Sequence, residues 1–266
     1  MNTSHKGTAL ITGASTGIGA IYADRLARRG YDLILVARNR ERLDELARRL
    51  TDATGRSIQS FPADLNDKAD LASVEQLLRT DQSITTLVNN AGFGGAAPLL
   101  QSDVAKMEEM ISLNVSALTR LTYAAVPGFV ARGGGTVINI ASIVAITPEL
   151  LNGVYGGTKA FVLAFSQSLH HELSSKGVRV QAVLPGATAT EFWGVAGMPV
   201  EHLPSQIVMS AQDMVDASLA GLDQGELITI PSLPDAADWH AFEEARRKLS
   251  PNLSHAKPAT RYAISA

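Results

Sequence analysis

Tyr155 and Lys159 stand four residues apart in the stretch Tyr155-Gly-Gly-Thr-Lys159, a spacing that puts both on one face of a helix. A phenol with an ordinary pKa of about 10 is a poor acid–base group at neutral pH. A lysine ammonium one turn away favours the phenolate, so the pair could move a proton in the working range. Taken alone, the same spacing is more often an ordinary exposed helix face. Ser142 follows the run Thr136 to Ala141, and its hydroxyl could hydrogen-bond a substrate oxygen beside Tyr155; a lone serine there also suits a helix cap or turn. Asn114, in the context Leu113-Asn-Val115, reads as a buried helix position. It holds a water linked to Lys159, or it is a satisfied core amide.

A second group lies near the N-terminus. In Thr12-Gly-Ala-Ser-Thr-Gly-Ile-Gly19 the residues Gly13, Ser15, Thr16, Gly17, Ile18 and Gly19 follow an apolar run and open a helical pattern, the context a glycine pattern needs before it counts. Glycines allow a tight turn and close backbone approach, and free N–H groups at a helix start attract a pyrophosphate. A plain strand–helix turn is the bland alternative. At the end of the second strand, where an acidic residue would bind a ribose 2′-hydroxyl, stands Ala37-Arg38-Asn39. Arg38 can meet a 2′-phosphate instead, with Asn39 or Arg42 assisting. This favours NADP(H) over NAD(H). Asp64 and Leu65 follow the third strand, where a carboxylate can accept from an adenine amino group. Asn89, Asn90, Ala91 and Gly92 end the fourth and could brace the sheet edge beside the adenosine ribose.

The elements that must position these groups alternate. Strands are predicted at 9–11, 31–37, 57–62, 84–89, 136–141, 178–184 and 226–230. Helices are predicted over 17–29, 40–50, 68–80, 103–131 and 153–175. Pro127 would bend or fray the fourth helix. Near-continuous apolar strands separated by helices imply an α/β fold: a Rossmann-type doubly wound, mostly parallel seven-stranded sheet with helices on both faces. The chain is read as one domain over 1–266, with 191–210 as a substrate lid and 231–266 as a C-terminal extension.

Together these residues resemble the short-chain dehydrogenase/reductase family in its single-domain form, over roughly Thr8 to Thr190. The resemblance implies Asn114, Ser142, Tyr155 and Lys159 as a catalytic tetrad. Tyr155 would be the acid in carbonyl reduction and the base in alcohol oxidation. Lys159 would bind the nicotinamide ribose and tune Tyr155, Ser142 would orient the substrate, and Asn114 would complete a proton relay. It also implies Pro185 and Gly186 as the cofactor-binding loop after the sixth strand, with Thr188 holding the nicotinamide carboxamide and Thr190 near the pyrophosphate. A homodimer or homotetramer follows by the same analogy.

Phe192, Trp193, Val195, Met198 and Val200, with Phe93, Ile143, Val144 and Leu150, suggest an apolar substrate pocket; packing of the lid onto the core explains them equally well. The leading expectation is therefore a reductase of apolar carbonyl compounds. The alternatives are a 3-ketoacyl thioester reductase, which would dock an acidic carrier through arginines such as Arg120, Arg132 or Arg179, and a non-catalytic NADP-binding sensor or scaffold. An epimerase or dehydratase of nucleotide sugars is disfavoured by the glycine spacing. Adjacent His170 and His171 cannot share a helix face, so no metal site is expected.

Composition sets the outer bounds. The chain has 266 residues, 45% hydrophobic, a net charge of −3 and no cysteine. Disulfides and thiolate chemistry are excluded, and there is no electrostatic reason to expect nucleic acid or an acidic membrane surface. Met1 to Gly7 is polar, unlike a signal peptide, and no apolar run approaches the roughly 20 residues of a membrane span. A cytoplasmic protein is expected.

Overall fold

Apolar side chains at consecutive positions suit a strand buried on both faces, and the runs Ala9–Ile11, Leu33–Val36 and Leu87–Val88 lie in such strands. The computed structural model describes residues 6–262. The polar stretch ahead of the first strand falls largely on residues 1–5, outside the described residues, as does the end of the C-terminal extension from residue 263. Strand β1 (Thr8–Thr12) leads into α1 (Gly17–Arg28), then β2 (Asp32–Ala37), α2 (Arg40–Thr54), β3 (Ile58–Pro62), α3 (Lys68–Thr80) and β4 (Ile84–Asn89). Next come α4 (Val104–Ile111), α5 (Leu118–Ala131), β5 (Gly135–Ile140), α6 (Gly153–Leu173) and β6 (Val178–Val183). The short β7 (Thr188–Ala189), α7 (Phe192–Val195) and β8 (Met209–Ser210) precede α8 (Ala211–Asp223) and β9 (Ile228–Thr229).

The main sheet has seven strands in the order β3-β2-β1-β4-β5-β6-β9. Every pairing is parallel, so it is wholly rather than mostly parallel. Strand alternation splits the core in two. Ala9, Ile11, Leu33, Leu35 and Ile138 face one way with Leu26, Leu43 and Met214. Leu10, Ile34, Val36, Leu87 and Val137 face the other with Leu71, Leu121 and Phe129.

Side chains stop and start the helices. Asn39, Asp67, Asp103 and Asn152 cap α2, α3, α4 and α6 by accepting from first-turn N–H groups, and Gly55 ends α2 at a φ of 69°. The helix predicted over 103–131 is interrupted by a π-helical turn, Ser112–Ala117, between α4 and α5. Pro127 lies inside α5, which runs on to Ala131. Helix α8 and the small pair β7–β8 were not anticipated. The chain divides into two compact units, through Pro231 and from Ser232 onward. The second carries α9 (Ala236–Leu249), capped by Asp235, with Trp239 and Phe242 stacked at 5.3 Å. Among the described residues no helix is long and apolar enough to cross a membrane.

Candidate active site

Helix α6 begins where Asn152 Oδ1 accepts from Val154 N at 2.9 Å. Its first two turns carry Tyr155 and Lys159 inward, 6% and 7% exposed. Lys159 Nζ donates to the Ile140 carbonyl at the end of β5 at 2.8 Å and lies 5.8 Å from the centre of the Tyr155 ring. Ser142, just past β5, accepts from Val144 N at 3.4 Å and donates to the Pro185 carbonyl at 3.4 Å. The same hydroxyl pairs with the Tyr155 phenol. Ser142 is thus both a turn cap and a neighbour of Tyr155.

Burial pushes the phenol up to about 12, partly offset by the Ser142 hydrogen bond, and lowers Lys159 to about 8. The sequence suggested that Lys159 would draw the phenol down. In this structure burial raises the phenol instead, and the group that partly lowers it is the Ser142 hydroxyl rather than Lys159. Tyr155 is therefore protonated at neutral pH. Asn114, 1% exposed, sits in the π-helical turn. Its Oδ1 accepts from Phe93 N at 3.1 Å, and its Nδ2 donates to Phe93 O at 2.8 Å and to Thr158 Oγ1 at 3.1 Å. Its side chain is a satisfied core amide, and it holds the loop after β4 against α6.

The glycine turn sits at the carboxyl end of β1. Gly13 and Gly17 adopt φ of 64° and 53°, the left-handed region that disfavours other residues. A Cβ at Gly19 would strike the Gly13 carbonyl, and one at Gly13 would come 2.8 Å from Asn90 Nδ2. Asn90 in turn donates to Thr12 O at 2.9 Å and Gly13 O at 3.1 Å. Thr12 Oγ1 accepts from Asn90 N and Ala91 N, each at 3.0 Å. Asn89 lies deeper, donating to Thr122 Oγ1 and Asn139 Oδ1. Thr16 precedes α1 without a side-chain cap, and the first turn has no acidic residue. Uncapped N–H groups behind a turn that only glycine fits suit a pyrophosphate, so these residues fit a dinucleotide.

Around that turn, Arg38 is exposed at the end of β2 and has no ion-pair partner among the described residues. Asn39 is committed to capping α2, and Arg42 pairs with Glu191 at 2.9 Å, so neither stands free beside Arg38. Asp64 Oδ1 accepts from Asn66 N at 3.0 Å, next to buried Leu65. Thr188 is buried and donates to Gly186 O at 3.2 Å. A Cβ on Gly17 would lie 3.2 Å from Thr190 Cγ2, which brings the residues after β6 onto the glycine turn.

The apolar groups expected to form a pocket divide. Phe93, Val144 and Phe192 gather with Tyr155, joined by Met107, Met110, Leu151 and Val154. Leu150 and Val195 are exposed instead. Trp193 is buried and donates Nε1–H to Thr188 O at 2.9 Å, which pins the lid down. Met107 and Met110 were missed, although they stand three apart on α4 and share a face. A separate cleft of about 540 Å³, lined by Lys6, Thr86, Gly135 and Arg179 among others, opens at the strand starts, the opposite edge from this chemistry.

A parallel sheet with a glycine turn at the end of β1 and a buried tyrosine–lysine face at the end of β5 defines a Rossmann-type nucleotide-binding protein. The chain belongs to the short chain dehydrogenase family, which matches it over residues 7–197. It is similar to a short-chain dehydrogenase from Sphingobium yanoikuyae solved in complex with NADPH, at 50% identity and a TM-score of 0.93, covering 95% of this chain and 98% of that one. The bulky-bulky ketone specific alcohol dehydrogenase from Comamonas testosteroni is 44% identical with a TM-score of 0.90, covering 98% and 100%. A very-long-chain 3-oxoacyl-CoA reductase from Anas platyrhynchos is 35% identical over 69% of this chain; the match spans only 60% of that relative.

Proposed function

We propose that the protein is an NADP(H)-dependent oxidoreductase that interconverts carbonyl compounds and alcohols. The observation that carries this reading is the meeting of the Tyr155 phenol, the Ser142 hydroxyl and the Lys159 ammonium at the strand edge that also holds the glycine turn. Gly13, Ser15, Thr16, Gly17, Ile18 and Gly19 would hold the pyrophosphate with Thr190. Arg38 would hold the 2′-phosphate, Asp64 and Leu65 the adenine, and Asn89 to Gly92 the adenosine ribose. Thr188 would hold the carboxamide, with Pro185 and Gly186 lining the cofactor in the loop before it. The NADPH complex of a relative with 50% identity supports the choice of cofactor. When bound, the nicotinamide supplies or accepts the hydride.

Tyr155 gives its proton to the carbonyl oxygen in reduction and recovers it in oxidation. Ser142 hydrogen-bonds the same oxygen. Lys159 holds the nicotinamide ribose and stabilises the phenolate that forms when the proton leaves. Asn114 fixes the loop beside them, its amide satisfied by Phe93 and Thr158. An apolar substrate suits the ring and thioether groups around Tyr155, and the ketone specificity in one relative's name points the same way. The 3-oxoacyl-CoA reductase similarity favours a 3-ketoacyl thioester as second reading. Against a carrier-binding patch, Arg120 is paired with Glu75, Arg132 donates to Gln82 and Ile84, and Arg179 donates to the Leu222 carbonyl. We further propose a cytoplasmic homo-oligomer whose one catalytic domain carries a lid over 191–210 and an extension over 231–266.

The test is NADPH consumption over a panel of ketones, aldehydes and one 3-ketoacyl thioester, with NADH and Tyr155→Phe alongside. Turnover preferring NADPH and falling about 10²- to 10⁴-fold in the variant is expected. Wild-type turnover in Tyr155→Phe would overturn the reading.

A further inference from the structure

Gly94 is buried, yet it is not among the glycines with positive φ. Nothing in its backbone demands glycine, so the reason lies in space. A Cβ built there would run into Cζ of Phe192, come 3.0 Å from Phe192 Cε2 and stand 3.2 Å from Tyr155 Cε2. The Phe192 ring fills the notch that the missing side chain leaves. From there it leans on Tyr155, ring centres 5.7 Å apart and planes at 45°.

The backbone around the notch is held from both sides. Ala96 N donates to the Ala196 carbonyl at 3.1 Å, and Asn152 N donates to the Gly95 carbonyl at 3.2 Å. Trp193, next to Phe192, is fixed by its bond to Thr188 O and meets the Phe192 ring edge-on at 5.5 Å. Phe192 is thus a half-buried ring on an anchored segment, seated over the proton-donating phenol. It is the lid side chain in contact with Tyr155.

We propose that Gly94 and Phe192 form a specificity-determining pair. Seated in the Gly94 notch, the ring occupies room beside Tyr155, and the carbonyl's larger apolar substituent binds by taking over its contacts. The substrate class is then ketones with at least one flat or bulky apolar arm, and Phe192 sets how large the second arm can be. This inference rests on the proposed reductase reading.

A double-mutant cycle tests it, since coupling isolates a contact. Gly94→Ala should lower kcat/KM for ketones roughly tenfold or more, because the added methyl overpacks the notch and dislodges the ring. Phe192→Ala should recover most of that loss in the Gly94→Ala background, and alone it should shift the kcat/KM ratio of a diaryl ketone over a small methyl ketone upward by about tenfold. The KM values should carry that shift, with Phe192→Leu intermediate. A readout without cofactor uses Trp193, one of two tryptophans: in a Trp239→Phe background, Gly94→Ala should change its emission. An equal loss from Gly94→Ala with and without Phe192, an unchanged ketone ratio, or unaltered Trp193 emission would each overturn the proposal. NADPH binding by fluorescence titration separates the two readings. If wild type fails to bind NADPH, the reductase reading fails; if it binds and turns over while the cycle shows no coupling, only the Gly94–Phe192 inference fails.

Discussion

Tyr155 and Lys159 are linked by their spacing, but their titration is governed by burial. With Lys159 lowered from 10.5 to about 8, the unfolded chain holds more protons than the folded one between those values, so stability rises with pH across that interval. Tyr155, raised from 10.0 to about 12, contributes stability that is complete below pH 10 and is lost as pH rises toward 12. Urea unfolding should therefore show wild type gaining about 1–2 kcal/mol between pH 8 and 10 relative to Lys159→Met. A parallel pH dependence in the two proteins would refute the burial argument. Ser142, Tyr155 and Lys159 could be read from the sequence because residue type and order name the chemistry. The direction of the phenol's shift could not, since spacing reports a neighbour and says nothing of lost water. Gly94 was equally silent: its meaning depends on Phe192, nearly a hundred positions away in the chain.

At the scale of elements, Thr12 joins two motifs that the sequence showed separately. Its Oγ1 receives the N–H groups of Asn90 and Ala91, so the end of β4 is tied to the glycine turn. Thr12→Val keeps the shape and leaves both donors without that acceptor, which should cost about 1–3 kcal/mol in chemical denaturation. Thr12→Ser should recover most of the loss, and a neutral Thr12→Val would show that the two loops do not depend on this hydroxyl. Helix α3 was read with its observed limits, and in the structure Asp67 caps its start. The π-helical turn at Ser112–Ala117 escaped because one extra residue in a turn hardly disturbs an apolar pattern. Strands β7 and β8, two residues each, are too short to show any period.

For the whole molecule, alternation of strand and helix was enough to foresee the seven-stranded sheet. The extension from 231 was read as a separate stretch and the structure divides the chain at Pro231, but the helix within it was not legible, because Ser232 to Ala266 is too polar to show a core-facing stripe. The proposed oligomer has a physical marker: Tyr123 is 69% exposed although it stacks on Phe165 at 6.4 Å, and Phe165 stacks on Phe161 at 5.6 Å. Light scattering should give a multiple of the 28.1 kDa chain mass, reduced by Tyr123→Asp; a monomer at micromolar concentration would remove the proposal. The strand order has a consequence for biosynthesis. Strands β2 and β3 extend one side of β1, while β4 returns to pair with the other side of β1 and β5, β6 and β9 then add outward from it in turn. Emerging from the ribosome, the chain can build its sheet outward in the order of translation. The Thr12–Asn90 clasp joins residues 78 apart in the chain, both ahead of α6, so the nucleotide cradle can take shape before the helix bearing Tyr155 has been made.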